Sequence, residues 1–246
     1  MCGFGDSWIK GNAQQESDAF PWEPSIELLE KEQAVIIFIK NPELGKAKTR
    51  LAATLGDHAA LNWYRHMLNH TRETTRLVPA KRFLYYSSFV DEGDDWDNAE
   101  FDKQLQAKGI LGDRMTAAFQ SAFSAGHQRV LIIGSDCLDL RVHHIKDAFQ
   151  ALRDHDFVIG PANDGGYYLL GMRTFQPEVF QNKEWSTESV LPDTLKDIEA
   201  LGKTVHLMEE LTDVDTEEDL RASLDRMPNH LLPSFNPAKM KRVGEL

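Results

Sequence analysis

The chain has 246 residues, with 27 Lys and Arg against 39 Asp and Glu and a formal net charge of -12. That acidity argues against a nucleic-acid binder, which carries a basic footprint, and no apolar run reaches the ~18–20 residues of a membrane span. The two cysteines, Cys2 and Cys137, form no Cys-x-x-Cys pair, which excludes a disulfide framework and points to a reducing cytoplasm.

Residues 1–30 read as an N-terminal extension. Gly, Asn, Gln, Ser and Pro dominate it, with scattered aromatics (Phe4, Trp8, Phe20, Trp22) and no secretory signal pattern. From residue 31 to 227 strands and helices alternate. "AVIIFIK" (Ala34 to Lys40) predicts a strand buried on both faces. A helix is expected from about Asp57 to Leu77, with Ala60, Tyr64, Met67, Leu68 and Thr71 inward. "RFLYYSS" is the next strand, and "DEGDDWDNAE" a solvated acidic loop. Asp113 to Ala125 is expected as a helix, since Met115, Ala118, Phe119, Ala122 and Phe123 repeat at helical spacing. "RVLIIG" predicts the central strand, followed by a helix with Ile145, Ala148, Phe149 and Leu152 inward. "DFVIGP" and "YYLLGM" are strands around a Gly-rich turn, Thr187 to Leu201 is a helix capped by Ser186 or Thr187, and "TVHLME" is a late strand. "DVDTEEDLRASL" enters a helix with Thr216 or Asp215 as N-cap. Residues 228–246 hold Pro228, Pro233 and Pro237 and read as an irregular tail.

Strands separated by helices give an α/β domain with a mostly parallel central sheet flanked by helices. Ligands of such sheets sit beyond the carboxyl ends of the strands. The first such loop, "NPELGKAKTRL", holds Gly45, Lys46, Lys48 and Arg50 near a helix start, a pattern that suits phosphate or a plain basic turn. "GSDCLDL" sets Asp136 at the sheet edge as a metal ligand, or else Asp136 or Asp139 simply caps the following helix. Asp164, Gly165 and Gly166 form a tight turn where a ligand can touch backbone, or an ordinary hairpin. "LTDVDTEEDL" brings Asp213 and Asp215 to another strand end. His66 and His70 lack the Glu of a zinc protease, and His143 and His144, being adjacent, are not expected to converge on one metal. Cys137 has no base supplied by any motif.

"KNPELGKAKTRL", "LGDRM", "IIGSDCLDL", "GPANDGGYYLLGM", "WSTESVL" and "DVDTEEDL" occur in an order that resembles a bacterial family of GT-A-like transferases. That family is labelled radical-SAM/selenodomain-associated transferase and belongs to the nucleotide-diphospho-sugar transferase superfamily. The resemblance runs from about Ala34 to Leu224 and implies a single GT-A-type domain. The chain is also similar to phosphoenolpyruvate/2-phospholactate guanylyltransferases. That similarity implies that Lys48 and Arg50 contact a triphosphate, that Asp136 and Asp215 hold Mg²⁺ or Mn²⁺, and that Arg114 faces the nucleotide or second substrate. It further implies that Gly165 and Gly166 let backbone approach the acceptor, with Thr187 on the acceptor side. Leu138 stands where relatives carry Pro. Tyr167 and Tyr168 stand where the guanylyltransferases carry Thr-Asn, so their acceptor is not carried over.

The expected activity is therefore a metal-dependent transferase using a nucleotide or nucleotide-sugar and a small-molecule acceptor, with no nucleic acid and no membrane. The Lys48/Arg50 loop tips the reading toward nucleotidyl transfer onto a small phosphorylated acceptor. The alternatives are glycosyl transfer from a nucleotide-sugar and a non-catalytic nucleotide-binding protein.

Overall fold

Val35, Ile37 and Ile39 point to one side of a sheet and Ala34 and Ile36 to the other, and all five are buried. A strand that is apolar on both faces needs helices on both faces. The computed structural model has that arrangement and describes residues 25–226. The expected C-terminal tail, Cys2 and the aromatics at 4, 8, 20 and 22 lie outside the described residues.

Helix α1 (Ile26–Glu32) leads directly into β1 (Gln33–Ile39). It begins inside the stretch read as an extension, and Glu32 pairs with Arg129 at 2.6 Å, which ties it to the body. There follow α2 (Thr49–Leu55), α3 (Asp57–Arg76), β2 (Lys81–Tyr86), β3 (Asp102–Leu105), α4 (Leu111–Ser124), β4 (Arg129–Ile133) and α5 (Val142–Asp154). The chain continues through β5 (Phe157–Pro161), β6 (Tyr167–Met172), a 3-10 turn (Pro177–Phe180), α6 (Val190–Ala200), β7 (Val205–Leu207) and α7 (Glu217–Arg226). The sheet order is β3-β2-β1-β4-β6-β5-β7. Among the described strands only β6 runs against its neighbours, because the short turn at Asp164–Gly166 joins it to β5 as a hairpin.

One core layer packs α3 and α5 against the sheet through Trp63, Met67, Ile145 and Phe149. The other packs α4 and α6 through Met115, Phe119, Ala122 and Ile198. Three local features differ from the sequence reading. Strand β3 was not expected, since "DKQL" has no apolar run; it is a half-exposed edge strand paired to β2 alone. The acidic loop before it is not simply solvated: Trp96 is buried edge-on to Phe101, and Asp94 accepts hydrogen bonds from Tyr86 (2.6 Å) and Lys103 (2.8 Å). Helix α6 starts at Val190 rather than Thr187: residues 185–189 form turns, with the Thr187 hydroxyl bonded back to the Glu184 carbonyl.

Candidate active site

The carboxyl ends of β1 and β4, the β5–β6 turn and the segment after β7 meet at one edge of the sheet. They enclose a cavity of about 480 Å³. Lys48, Arg50, Arg114, Asp136, Asp164, Gly166, Thr187 and Asp215 all line it, as do Tyr64, Gln106, Tyr167, Trp185 and Asp213.

Gly134 ends β4 and allows the next turn to fold tightly. A Cβ there would lie 2.8 Å from Asp136 Oδ1, so only glycine leaves the carboxylate its place. The Asp136 carbonyl accepts from the Val214 N–H (2.9 Å), which fastens the Asp213–Asp215 segment beside β4. Thr216 caps α7 and not Asp215: its Oγ1 accepts from the Asp219 N–H, while Asp219 accepts from the Thr216 N–H at 2.8 Å. Asp215 is thereby left free to face the cavity.

Lys48 stands at the centre. Its side chain is 6% exposed, and its Nζ donates to Asp136 Oδ2 and to Asp215 Oδ1, each at 2.8 Å. Burial works against the charged ammonium, but the two carboxylates outweigh it, and its pKa is raised. Asp215 responds in the opposite sense: burial opposes its charge, yet Lys48 and Arg50 hold its pKa below the ordinary value. Arg50 lies 3.6 Å from Asp215 with its side chain 71% exposed, so it is free to turn to a ligand. Asp213 has no such partner. Its Oδ1 is buried without a hydrogen bond, and burial first, then the Asp136 charge, push its pKa well up. Nothing in its spacing distinguished Asp213 from a helix-capping acid; burial alone marks it.

On the cavity wall, the Tyr64 hydroxyl accepts from the Lys40 N–H (2.8 Å) and donates to the Lys40 carbonyl (3.0 Å), with Ser135 Oγ at 3.3 Å. Burial raises its pKa to about 12, so it stays a neutral phenol that fixes the end of β1. Gln106 donates to the Ile39 and Tyr85 carbonyls at 3.2 Å each, and Arg114 Nε donates to the Gly109 carbonyl at 2.9 Å.

Three expected site residues do not line the cavity. Lys46 pairs with Glu43 (2.8 Å) on the exposed flank of the loop, because Gly45 at φ 73° turns the chain before it. Gly165 supports the site from behind. It has φ 84°, its carbonyl accepts from the Leu191 N–H (2.9 Å), and a Cβ would sit 2.5 Å from Glu188 Cα. Gly165→Ala therefore both strains the backbone and collides with backbone, and we expect destabilisation of about 1–3 kcal/mol. Chemical denaturation measures it; an unchanged midpoint would show that the turn does not hold the Thr187 loop. The expected cap at Ser186 or Thr187 is also absent: the Thr187 hydroxyl donates to the Glu184 carbonyl at 2.7 Å, inside the loop.

Elsewhere, Cys137 is buried and its pKa is raised chiefly by that burial, which makes it a packing residue. Asp139 pairs with Arg226 (2.6 Å) and caps nothing. Contrary to the sequence reading, His143 and His144 do converge with Glu209, their ligand atoms lying within 4.8 Å of one another. The chemistry is that of a hydrogen bond. His144 Nδ1 accepts from the Arg141 N–H (2.8 Å), so its proton sits on Nε2 and is donated to Glu209 at 2.6 Å. That leaves no Nε2 lone pair for a metal.

Among the described residues no helix is long and apolar enough to cross a membrane. Residues 70–187 match the family described as "Uncharacterized protein conserved in bacteria (DUF2064)". The chain is similar to a Desulfovibrio desulfuricans G20 protein of known structure, provisionally described as a nucleotide-diphospho-sugar transferase. The two are 32% identical over 80% of this chain and 88% of that one, with a TM-score of 0.75. The fold is also that of the T. maritima inositol-1-phosphate CTP transferase, at 13% identity over 87% of this chain and 98% of that one and a TM-score of 0.50. A comparison with curated proteins finds no match.

Proposed function

The chain belongs to the same family as the Desulfovibrio desulfuricans protein, and from that premise we propose that it is a metal-dependent transferase acting on a nucleotide, with nucleotidyl transfer onto a small phosphorylated acceptor as its reaction. The observation that carries this reading is one cation held at 2.8 Å by two carboxylates from separate loops, with the exposed Arg50 guanidinium 3.6 Å from one of them. Asp136 and Asp215 can share a cation, since they already share the Lys48 ammonium. Asp213 adds a buried oxygen with no hydrogen bond. A donor set of carboxylates facing a phosphate site suits Mg²⁺ or Mn²⁺. When bound, the ion would supply charge neutralisation at the phosphate oxygens.

The chain's own residues do the rest. Lys40, Lys48, Arg50 and Arg114 line the cavity, a set of positive charge suited to a whole triphosphate. A phosphate oxygen of the acceptor attacks the α-phosphorus, the bond to the bridging oxygen of the β-phosphate breaks, and pyrophosphate leaves. Lys48 and Arg50 offset the charge that grows on that leaving group. Phe38 and Ser87 line the cavity from β1 and the end of β2, where the nucleoside would rest. Tyr167, Trp185 and Thr187 line it from β6 and the loop before α6, where the acceptor would rest, and Arg114, hydrogen-bonded to Gln106 at 3.5 Å, would face the nucleotide or the acceptor. Glycosyl transfer is the second reading, favoured by the description of the Desulfovibrio relative.

A product assay with a panel of nucleoside triphosphates and sugar nucleotides, in Mg²⁺, separates the cases. Pyrophosphate release is the expected product. Nucleoside diphosphate would establish glycosyl transfer instead, and the absence of both would leave a binding protein. Arg50→Ala is expected to weaken nucleotide binding by roughly 1.5–3 kcal/mol, the range for a hydrogen bond to a charged group. Calorimetry tests it, and an unchanged affinity would reduce the loop to a basic turn.

A further inference from the structure

Lys48 has a backbone that only its site explains. At φ 51° and ψ 48° it adopts the left-handed conformation that side chains with a Cβ rarely take, directly before α2. It is one of three non-glycine residues with positive φ among the described residues. The conformation turns a long side chain inward, where its ammonium bonds the two carboxylates assigned to the metal in the reading above. It bonds Asp136 Oδ2 and Asp215 Oδ1, and both residues line the cavity. A divalent cation on the same pair would lie against the ammonium, and like charges at such range repel strongly in a half-buried site. The ammonium therefore has to leave before the metal can settle. Its stem has four rotatable carbons and reaches into the cavity that Arg50 also lines. A phosphate group there would receive it.

We propose that Lys48 is a resident counter-cation that keeps free divalent metal off the Asp136–Asp215 pair and yields the position only when a phosphate chain arrives to take its ammonium. This rests on the reading of that pair as the metal site. It makes Lys48 a selector: the pocket accepts metal together with polyphosphate and discriminates against metal alone. Metal and phosphate chain then bind with positive coupling, and the coupling is reciprocal.

The test uses the full chain and Mn²⁺, with free Mn²⁺ followed by electron paramagnetic resonance. Calorimetry with preformed Mn²⁺–tripolyphosphate forms the second arm. The wild type is expected to bind Mn²⁺ alone weakly and the preformed complex well. Lys48→Met is expected to bind Mn²⁺ alone about tenfold tighter or more, because one neighbouring positive charge is gone, while losing affinity for the complex. Lys48→Gln serves if the Met variant does not fold, with the same expected order. Equal or weaker Mn²⁺ affinity in the Lys48 variants, with binding still abolished in Asp136→Asn, would overturn the counter-cation role and leave the metal site standing. Absence of Mn²⁺ binding in all proteins and both arms would overturn the metal site, and this inference with it.

Discussion

With Mg²⁺ present, a nucleotide at about 100 times its dissociation constant is expected to raise the melting temperature by roughly 5–11 °C. Binding at that excess stabilises the folded state by about 2.7 kcal/mol, and a domain of this size gains about 2–4 °C per kcal/mol. A chelator should remove most of the rise. The chain carries a net charge of -12, and Asp136, Asp164, Asp213 and Asp215 line the cavity. Polyphosphate without a metal therefore meets four acids as well as the cations. Asp136→Asn should abolish the rise while preserving an acceptor for the Lys48 ammonium, so the variant separates loss of metal from loss of fold. Melting curves that respond equally with and without metal would exclude a metal-binding role for Asp136. No response to any nucleotide or sugar nucleotide would leave the family and the fold but sink the proposed activity.

Phe119→Ala is expected to cost about 3–5 kcal/mol, the range for truncating a fully buried aromatic residue, or roughly 6–20 °C in melting temperature. Phe119 is 0% exposed on the inner face of α4. Its ring stacks on Phe180, with centroids 5.6 Å apart and planes at 30°. Phe180 closes the 3-10 turn that precedes Trp185 and Thr187, so this packing also supports the part of the cavity wall that they form. Scanning calorimetry gives the stability loss. A fall of only a degree or two would mean that α4 and the 3-10 turn repack around the gap. Phe119→Leu, which keeps most of the volume, should recover much of the loss.

Most strands, helices α3, α4, α5 and α7, and the sheet edge that carries the cavity were legible in the residues themselves, whereas α1 and the separate α2 were not. "AVIIFIK" and "RVLIIG" are apolar on both faces, which only a covered sheet accommodates, and the α3, α4 and α5 stripes repeat at helical spacing. The Asp-Gly-Gly turn foretold the hairpin that reverses β6. Elements with a long apolar stripe or a strong turn signal were therefore readable. Strand β3 was not, since an edge strand borrows its conformation from hydrogen bonds to β2 and needs no apolar run of its own.

Site chemistry divides the same way. Residue type and strand ends nominated Lys48, Arg50, Asp136 and Asp215, and the ordered motifs supplied their family. Spacing in the chain could not separate Lys46, which pairs outward with Glu43, from Lys48, which turns inward on a left-handed backbone. Nor could it rank Asp213, whose significance lies in an Oδ1 buried without a hydrogen bond. Lys48 and Asp215 are 167 positions apart, yet 2.8 Å separates their charged atoms. A charge's burial and its partners depend on what other strands bring to the same edge. The sequence alone determines which groups are available and roughly where each strand ends; the tertiary structure decides which of them share an ion.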